Sequence, residues 1–229
     1  MAPSANAGRR VRRDGSAHRR AAGEVGSVSS VSPGTAELGS VAQRNRRRRI
    51  LDATIATASR GGFDAVQMRT VAERADVALG TLYRYFPSKI HLLVSTLAQQ
   101  FEQTQEKLDR RPVPGATPAE RVTYVLTRAT RGMQREPHLT EAMTRAFMFA
   151  DSSAADEIHV VGMQLTTMLA KAIHGPDYVE GAPLADDDIA VTRVISDVWL
   201  STLVSWVTGR MTTDEVAEHL TAAVRLLLG

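Results

Sequence analysis

The chain contains no cysteine. This removes disulfides, thiolate zinc sites and cysteine nucleophiles from the possible chemistries and fits a reducing compartment. No alternating β-branched pattern of the kind that marks half-buried strands is present, so the interior reads as all-α. No apolar run reaches the roughly 18 residues that a membrane span needs, and the longest, 194–207, is interrupted by Asp197. The N-terminal stretch carries Arg and Ser without an apolar core, so no secretory signal is expected and the chain is expected in the cytoplasm. Enzyme signatures are missing too. There is no Gly-rich phosphate loop and no Gly-x-Ser-x-Gly elbow. The six histidines, His18, His91, His138, His159, His174 and His219, have no metal-ligand spacing. Asp186-Asp187-Asp188 precedes a helical segment and reads as a complement to its dipole rather than a cation site. No catalytic residue, metal or cofactor is therefore expected.

What is present is a globular composition with a lopsided charge. The 229 residues are 43% hydrophobic, enough for one large domain or two modest ones. Residues 1–49 hold eleven Arg against Asp14, Glu24 and Glu37, a net +8, while the remainder holds 17 basic and 22 acidic residues, a net −5. A basic arm on a slightly acidic body points to an anionic partner near one end, with nucleic acid the leading candidate and a solvated tail the alternative.

Along the chain, residues 1–42 are rich in Ala, Gly, Ser and Arg without an apolar stripe, which predicts a disordered basic arm. From Gln43 the pattern changes: Ile50, Leu51, Thr54, Ile55 and Ala58 recur at helical spacing and Gly61-Gly62 supplies a stop. Further helices are predicted near 69–75, 79–85, 88–109, 118–135, 138–149, 153–173, 185–208 and 213–228, nine in all. Thr117, Pro118 and Glu120 read as N-cap, N1 and N3, and Thr213 before Asp214 and Glu215 repeats the cap-plus-acid signal. The stretch Arg111-Pro-Val-Pro-Gly-Ala-Thr-Pro118 is the clearest linker.

The stretch Thr70-Val-Ala-Glu-Arg-Ala-Asp-Val-Ala-Leu-Gly-Thr-Leu-Tyr-Arg-Tyr-Phe-Pro-Ser-Lys89 places two short helices about a turn at 76–78, the length a helix-turn-helix needs. Leu82 and Phe86 would face inward, leaving Gly80, Thr81, Tyr83, Arg84 and Tyr85 on or near the exposed side. Gly80 permits close backbone approach, Thr81 suits a base edge, and Tyr83 and Tyr85 suit phosphates. Lys89, in the first turn after Pro87, would meet a phosphate together with free helix N–H groups.

The Gly-Thr-Leu-Tyr-Arg-Tyr-Phe-Pro-Ser-Lys run, with its spacing from the 50–58 helix and from Gly62-Phe63, closely resembles the TetR family of one-component bacterial repressors. The close match covers about 48 residues. Asp76 stands where that family usually has Gly, and Ala78 where it favours Ser or Thr. Asp tolerates the left-handed conformation, and the missing cap is worth about 1 kcal/mol. The resemblance implies a DNA-binding domain at 43–91 and a ligand-binding and dimerising domain at 92–229. It also implies a homodimer on double-stranded DNA with a palindromic operator. The expected DNA-contacting residues are Arg46, Arg48, Arg49, Arg69, Thr70, Leu79, Gly80, Thr81, Tyr83, Arg84, Tyr85 and Lys89. The Arg46–Arg49 run could alternatively be a solvated face, and the looser 9–20 arginines an electrostatic arm or a plain extension.

For the larger domain, the last two helices are the dimer face that the family implies, through Val194, Val198, Leu203, Val204, Val207, Val216, Leu220, Val224 and Leu227. Large or flexible residues on inward stripes are candidates to line a pocket: Leu97, Phe101, Met143, Phe147, Met148, Met163, Met168, Trp199 and Trp206. Each could equally be plain core. The 139–151 stretch and the Arg69–Ala78 start of the DNA motif resemble a subgroup of the family, the actinobacterial repressors of cholesterol catabolism. That resemblance implies a hydrophobic effector, a steroid acyl-CoA, whose rings enter an apolar tunnel while basic residues, Arg145 among them, meet its phosphates. The alternatives are an efflux or lipid operon that responds to a hydrophobic drug or a fatty acyl-CoA. The helix near 88–109, which would touch both domains, is the expected coupling element.

Overall fold

Helical periodicity and capping chemistry produce nine α-helices among residues 33–229, the part of the chain that the computed structural model describes, with side chains described from Val41 onward. In order these are α1 Pro33–Ala65, α2 Met68–Arg74, α3 Leu79–Tyr85, α4 Lys89–Leu108, α5 Pro118–Gln134, α6 Pro137–Met148, α7 Ala155–His174, α8 Asp186–Val207 and α9 Thr213–Leu228. Short 3₁₀ turns at Ser152–Ala154 and Gly175–Asp177 bracket α7. No strand occurs among the described residues. The disorder expected of the basic arm falls, for residues 1–32, outside them.

Two boundaries differ from the sequence reading, each for a local reason. α1 begins at Pro33, not near Gln43. Proline suits a first helical turn, and Ala36, Glu37, Leu38 and Ala42 are adequate helix formers; the lack of an apolar stripe argues against burial, not against helix. The second capping box uses Thr212, not Thr213: its side chain accepts from Glu215 N while the Glu215 carboxylate accepts from Thr212 N. Only Thr212 has a glutamate three residues on. Those hydrogen bonds hold the Glu215 carboxyl below the usual carboxylate range. Thr117 and Glu120 form the expected box on α5.

A kink ends the long part of α1. Gly61 is extended and Gly62 has φ +67°, after which one more turn carries Phe63 to Ala65. The small N-terminal unit packs Ile50, Leu51, Val71, Leu82 and Phe86 into its core, all 1% exposed or less. α4 leaves this unit and runs into the larger one, where it packs on α6 and α7; α5, α7, α8 and α9 complete that unit. At its centre Trp199 is buried, its Nε1–H donating to Thr130 Oγ1 at 2.8 Å and its ring 5.7 Å from Phe101.

α8 is apolar on two sides, and by length and composition it is long and apolar enough to cross a membrane. Thr192, Ile195, Trp199, Thr202 and Leu203 face the core, whereas Ile189 and Val194 are exposed. Of the residues expected on an outer α8–α9 face, Val194 and Leu227 are exposed, but Leu203, Val216, Leu220 and Val224 are buried within the chain. The α8–α9 pair must first satisfy its own packing against α5 and α7, and this consumes one of its apolar stripes. Thr130→Val removes the only acceptor of the buried Trp199 N–H, so it is expected to lower unfolding free energy by about 1–3 kcal/mol, seen as an earlier denaturation midpoint with an unchanged slope.

Candidate DNA interface and ligand cavity

The α2–α3 pair has the geometry of a helix-turn-helix. Ala72 and Ala75 let the two helices approach, and Val77 N donates to Ala72 O at 3.0 Å to close the turn. Asp76 carries φ +52°, the left-handed conformation that the turn demands and that Asp accepts. Ala78 is the N-cap of α3 and makes no side-chain cap, as its side chain requires. Leu82 and Phe86 face the core, so Leu79, Gly80, Tyr83 and Arg84 form the exposed side of α3. Thr81 and Tyr85 lie half-buried at its margins. A Cβ built on Gly80 would meet nothing within 4 Å, so the fold itself makes no demand for glycine there.

Arg48, Arg49, Arg69 and Thr70 are exposed beside this face, and Arg46 is half-buried. Arg49 approaches Asp76 at 3.8 Å with both side chains largely solvated, a pairing worth little. Arg47, absent from the sequence-based set, lies over the Phe86 ring at 5.5 Å. Lys89 departs from expectation. Its Nζ donates to Phe63 O at 2.9 Å and sits 3.8 Å from the Phe63 ring centroid, so it is held inward and not presented to a phosphate. The physical reason is the kink at Gly62, which turns the Phe63 carbonyl and ring toward the start of α4; the carbonyl accepts from Val66 N at 3.2 Å and has a second lone pair for Lys89. Burial pushes the Lys89 pKa below its ordinary value, with the neighbouring Arg145 charge adding to that and Asp64 and Glu141 opposing it.

Phe63 is held from the other side by α6. Glu141 Oε2 accepts from Phe63 N at 2.8 Å, and Arg145 lies over the same ring at 4.5 Å while pairing with Asp64 at 3.2 Å and Glu141 at 3.6 Å. Arg145 is thus committed to the junction between the two units and does not stand at a cavity mouth. α6 also reaches the larger unit's interior, since Thr144 and Phe147 line its main cavity. α6, like α4, therefore touches both units.

The main cavity has a volume of about 810 Å³ and lies among α4, α6, α7 and α8, closed on one side by the 178–184 loop. Of the sequence candidates, Leu97, Phe101, Phe147, Met163 and Trp199 line it. Met143 and Met168 do not: both are buried core. Met148 is exposed at the end of α6, and Trp206 packs half-buried elsewhere. Helical spacing marks an apolar face but does not separate a wall with a neighbour from one facing empty space. Lining residues that the sequence reading missed include Met133, Tyr178, Glu180, Arg193 and Asp197. Arg193 and Asp197 carried a usable signal, charges four apart on an otherwise apolar helix. Near the loop, Lys171 Nζ bridges Glu180 at 2.9 Å and Asp109 at 3.4 Å; burial works against its charge, but these carboxylates win and raise its pKa.

A helix-turn-helix joined through two shared helices to a domain with a large, mainly apolar cavity defines a one-component, ligand-sensing DNA-binding regulator. The chain belongs to the TetR family of bacterial regulatory proteins, whose N-terminal model matches residues 50–96 and whose tetracycline repressor-like C-terminal model matches residues 115–227. It is a DNA-binding transcriptional repressor of that type. It is 56% identical to the HTH-type transcriptional repressor KstR of Mycolicibacterium smegmatis, over 84% of this chain and 92% of that one. It is 55% identical to KstR of Mycobacterium tuberculosis, over 84% and 85%. A crystal structure of a TetR regulator from Rhodococcus sp. RHA1, 32% identical, superposes with a TM-score of 0.74 over 81% of this chain and 97% of that one.

Two glycines separate fold from recognition. Gly80→Ala is expected to leave the melting temperature unchanged or raised, since Ala gains about 0.5–1 kcal/mol over Gly inside a helix, while weakening operator binding in fluorescence anisotropy. In Gly62→Ala the new Cβ would fall 2.5 Å from Glu141 Oε2 at a positive φ. That variant is expected to lose about 1–3 kcal/mol of stability by the same thermal measurement.

Proposed function

We propose that the chain represses genes for sterol breakdown and is released from a palindromic operator by a steroid acyl-CoA thioester. The observation that carries this reading is the 810 Å³ cavity, walled by Leu97, Phe101, Phe147 and Trp199, with the charged lining residues Glu180, Arg193 and Asp197 on the loop and α8 and hydroxyl and imidazole groups of Thr144, His159, Thr166 and Thr167 on α6 and α7. Such a cavity suits a rigid apolar body with a polar end. The resemblance to cholesterol-catabolism repressors supplies the ligand class. The chain acts as a homodimer in the cytoplasm, without cofactor or catalytic residue. Exposed Ile189 and Val194 on α8 and Leu226 and Leu227 on α9 support a two-fold interface.

On this reading the α3 face enters the major groove, with Gly80, Thr81, Tyr83 and Arg84 against base edges and phosphates and Arg46, Arg48 and Arg49 on the backbone. Two such helices must sit about 34 Å apart to read successive grooves. A ligand that binds better to a dimer with another spacing lowers operator affinity by its differential affinity alone. The Phe63 junction is where that preference passes from α4 and α6 to the DNA unit.

Fluorescence anisotropy on a palindromic operator tests the proposal. A sterol acyl-CoA is expected to lower operator affinity by about 5–150-fold, while free CoA and hydrophobic drugs leave it unchanged. Release by a drug or a fatty acyl-CoA, with indifference to the sterol thioester, would move the protein to an efflux or general lipid operon. Phe63→Leu keeps bulk but loses both cation–π contacts; it is expected to bind operator and thioester separately while the effect of one on the other shrinks about threefold or more.

A further inference from the structure

A second concavity, of about 370 Å³, lies where the end of α4, the connection after it and α5 meet. Four cations line it, Lys107, Arg110, Arg111 and Arg128, and no carboxylate does. Among the described residues none of the four makes an ion pair or side-chain hydrogen bond, unlike Arg121, Arg145 and Lys171 nearby in the same domain. Four like charges around one small groove repel unless an anion offsets them. Between the cations lie the Tyr124 side chain, 38% exposed, and the apolar surfaces of Leu108, Pro112 and Val113. Guanidinium groups match phosphate oxygens bidentately, and an aromatic ring with apolar neighbours offers a base a stacking surface.

The groove is not a part of the DNA interface. Lys107 follows Lys89 by 18 positions on the 20-residue α4, which at 1.5 Å per residue is about 27 Å along the axis, away from the recognition helix. The groove shares no lining residue with the main cavity but lies seven residues further along α4, about 10 Å beyond Phe101. Leu97 and Phe101 in the cavity and Leu108 in the groove share one face of α4, at i, i+4 and i+11. Asp109, between two groove residues, is tied by Lys171 to Glu180, which lines the cavity, and the Lys171 ammonium also stands 5.6 Å from the Tyr178 ring.

We propose that this groove binds a phosphorylated adenine nucleotide, with Tyr124 under the base and Lys107, Arg110, Arg111 and Arg128 on the phosphates. Resting on the reading above, the nucleotide is the far end of the coenzyme-A thioester whose acyl end fills the cavity, the chain of the thioester crossing beside Lys171. Free nucleotide is the other source of the same chemistry.

Isothermal titration of the full chain against three probes separates the sources: a sterol acyl-CoA, the same acid as a pantetheine thioester lacking the nucleotide, and adenosine 3′,5′-bisphosphate. The comparison protein is the double variant K107A/R111A, whose exposed positions make no contact that folding uses. The wild type is expected to bind the CoA thioester about tenfold or more tightly than the pantetheine thioester. The variant should lose that advantage, bind the pantetheine form unchanged, and bind operator DNA as the wild type does. If no sterol thioester binds but the bisphosphate binds the wild type and not the variant, the sterol assignment falls and the groove stands as a free-nucleotide site. The groove assignment is overturned if neither the CoA thioester nor the bisphosphate distinguishes the two proteins. Pyrophosphate bound as tightly as the bisphosphate, with Tyr124→Ala affecting neither, would overturn the nucleotide part of the claim.

Discussion

The regulator depends on one aromatic ring held by two cations. Phe63 opens the last turn of α1, Lys89 begins α4 and Arg145 lies in the last turn of α6, and all three meet within a few ångströms. No single contact there is strong. The ion pairs of Arg145 are partly solvated and worth at most about 1 kcal/mol each; a cation over an aromatic face adds about 0.5–2 kcal/mol. Their combination is nevertheless specific, because Glu141 takes the Phe63 N–H and Lys89 takes the Phe63 carbonyl. The backbone of one residue is thereby tied to α6 of the larger unit and to the start of α4, the helix that joins the two units. A modest total suits a coupler: a junction worth far more than a ligand's differential affinity would not move when the ligand binds.

The glycine pair just before Phe63 makes this arrangement possible. The kink breaks the backbone ladder of α1 and frees the Phe63 groups for partners from α4 and α6, and the absent Cβ of Gly62 leaves room for the Glu141 carboxylate. A feature that reads along the sequence as a helix stop works in three dimensions as the seat for a neighbouring helix. The inward commitment of Lys89 and Arg145 follows from the same event, since a carbonyl with a spare lone pair and an open ring face draw the nearest long cations.

The sequence was legible where local rules and global packing agree. The helix count, the turn at Asp76, the uncapped Ala78 and the buried Leu82 and Phe86 all follow from spacing and backbone chemistry within about twenty residues. Five of nine cavity candidates line the cavity, because Leu97, Phe101, Phe147, Met163 and Trp199 sit on inward faces that end at a void. Met143 and Met168 sit on equally apolar faces that end at another helix. Periodicity reports which side of a helix avoids water, not what lies across from it, so no reading of one strip of sequence separates the two groups. The Phe63 and Asp64 partners of Lys89 and Arg145 were hidden for a related reason: they lie 26 positions from Lys89 and 81 or more from Arg145.

The cations of the described chain fall into three spatial groups with different degrees of neutralisation, and this orders the molecule. At the DNA end Arg48, Arg69 and Arg84 are exposed, with only the loose Arg69–Glu73 pair at 4.0 Å among them. At the junction Lys89 and Arg145 are consumed by Phe63, Asp64 and Glu141. At the far end of α4, Lys107, Arg110, Arg111 and Arg128 are again without partners. Charge at the start of α4 is thus consumed inside the protein, whereas charge at its far end faces solvent, so of the two ends of this 20-residue rod only the far one is open to an anion. On the proposal that the groove takes an anion, that anion meets α4 about 27 Å from its start, whereas a ligand confined to the cavity meets it at Leu97 and Phe101, close to its middle, so one elongated effector would touch the helix at two separate places.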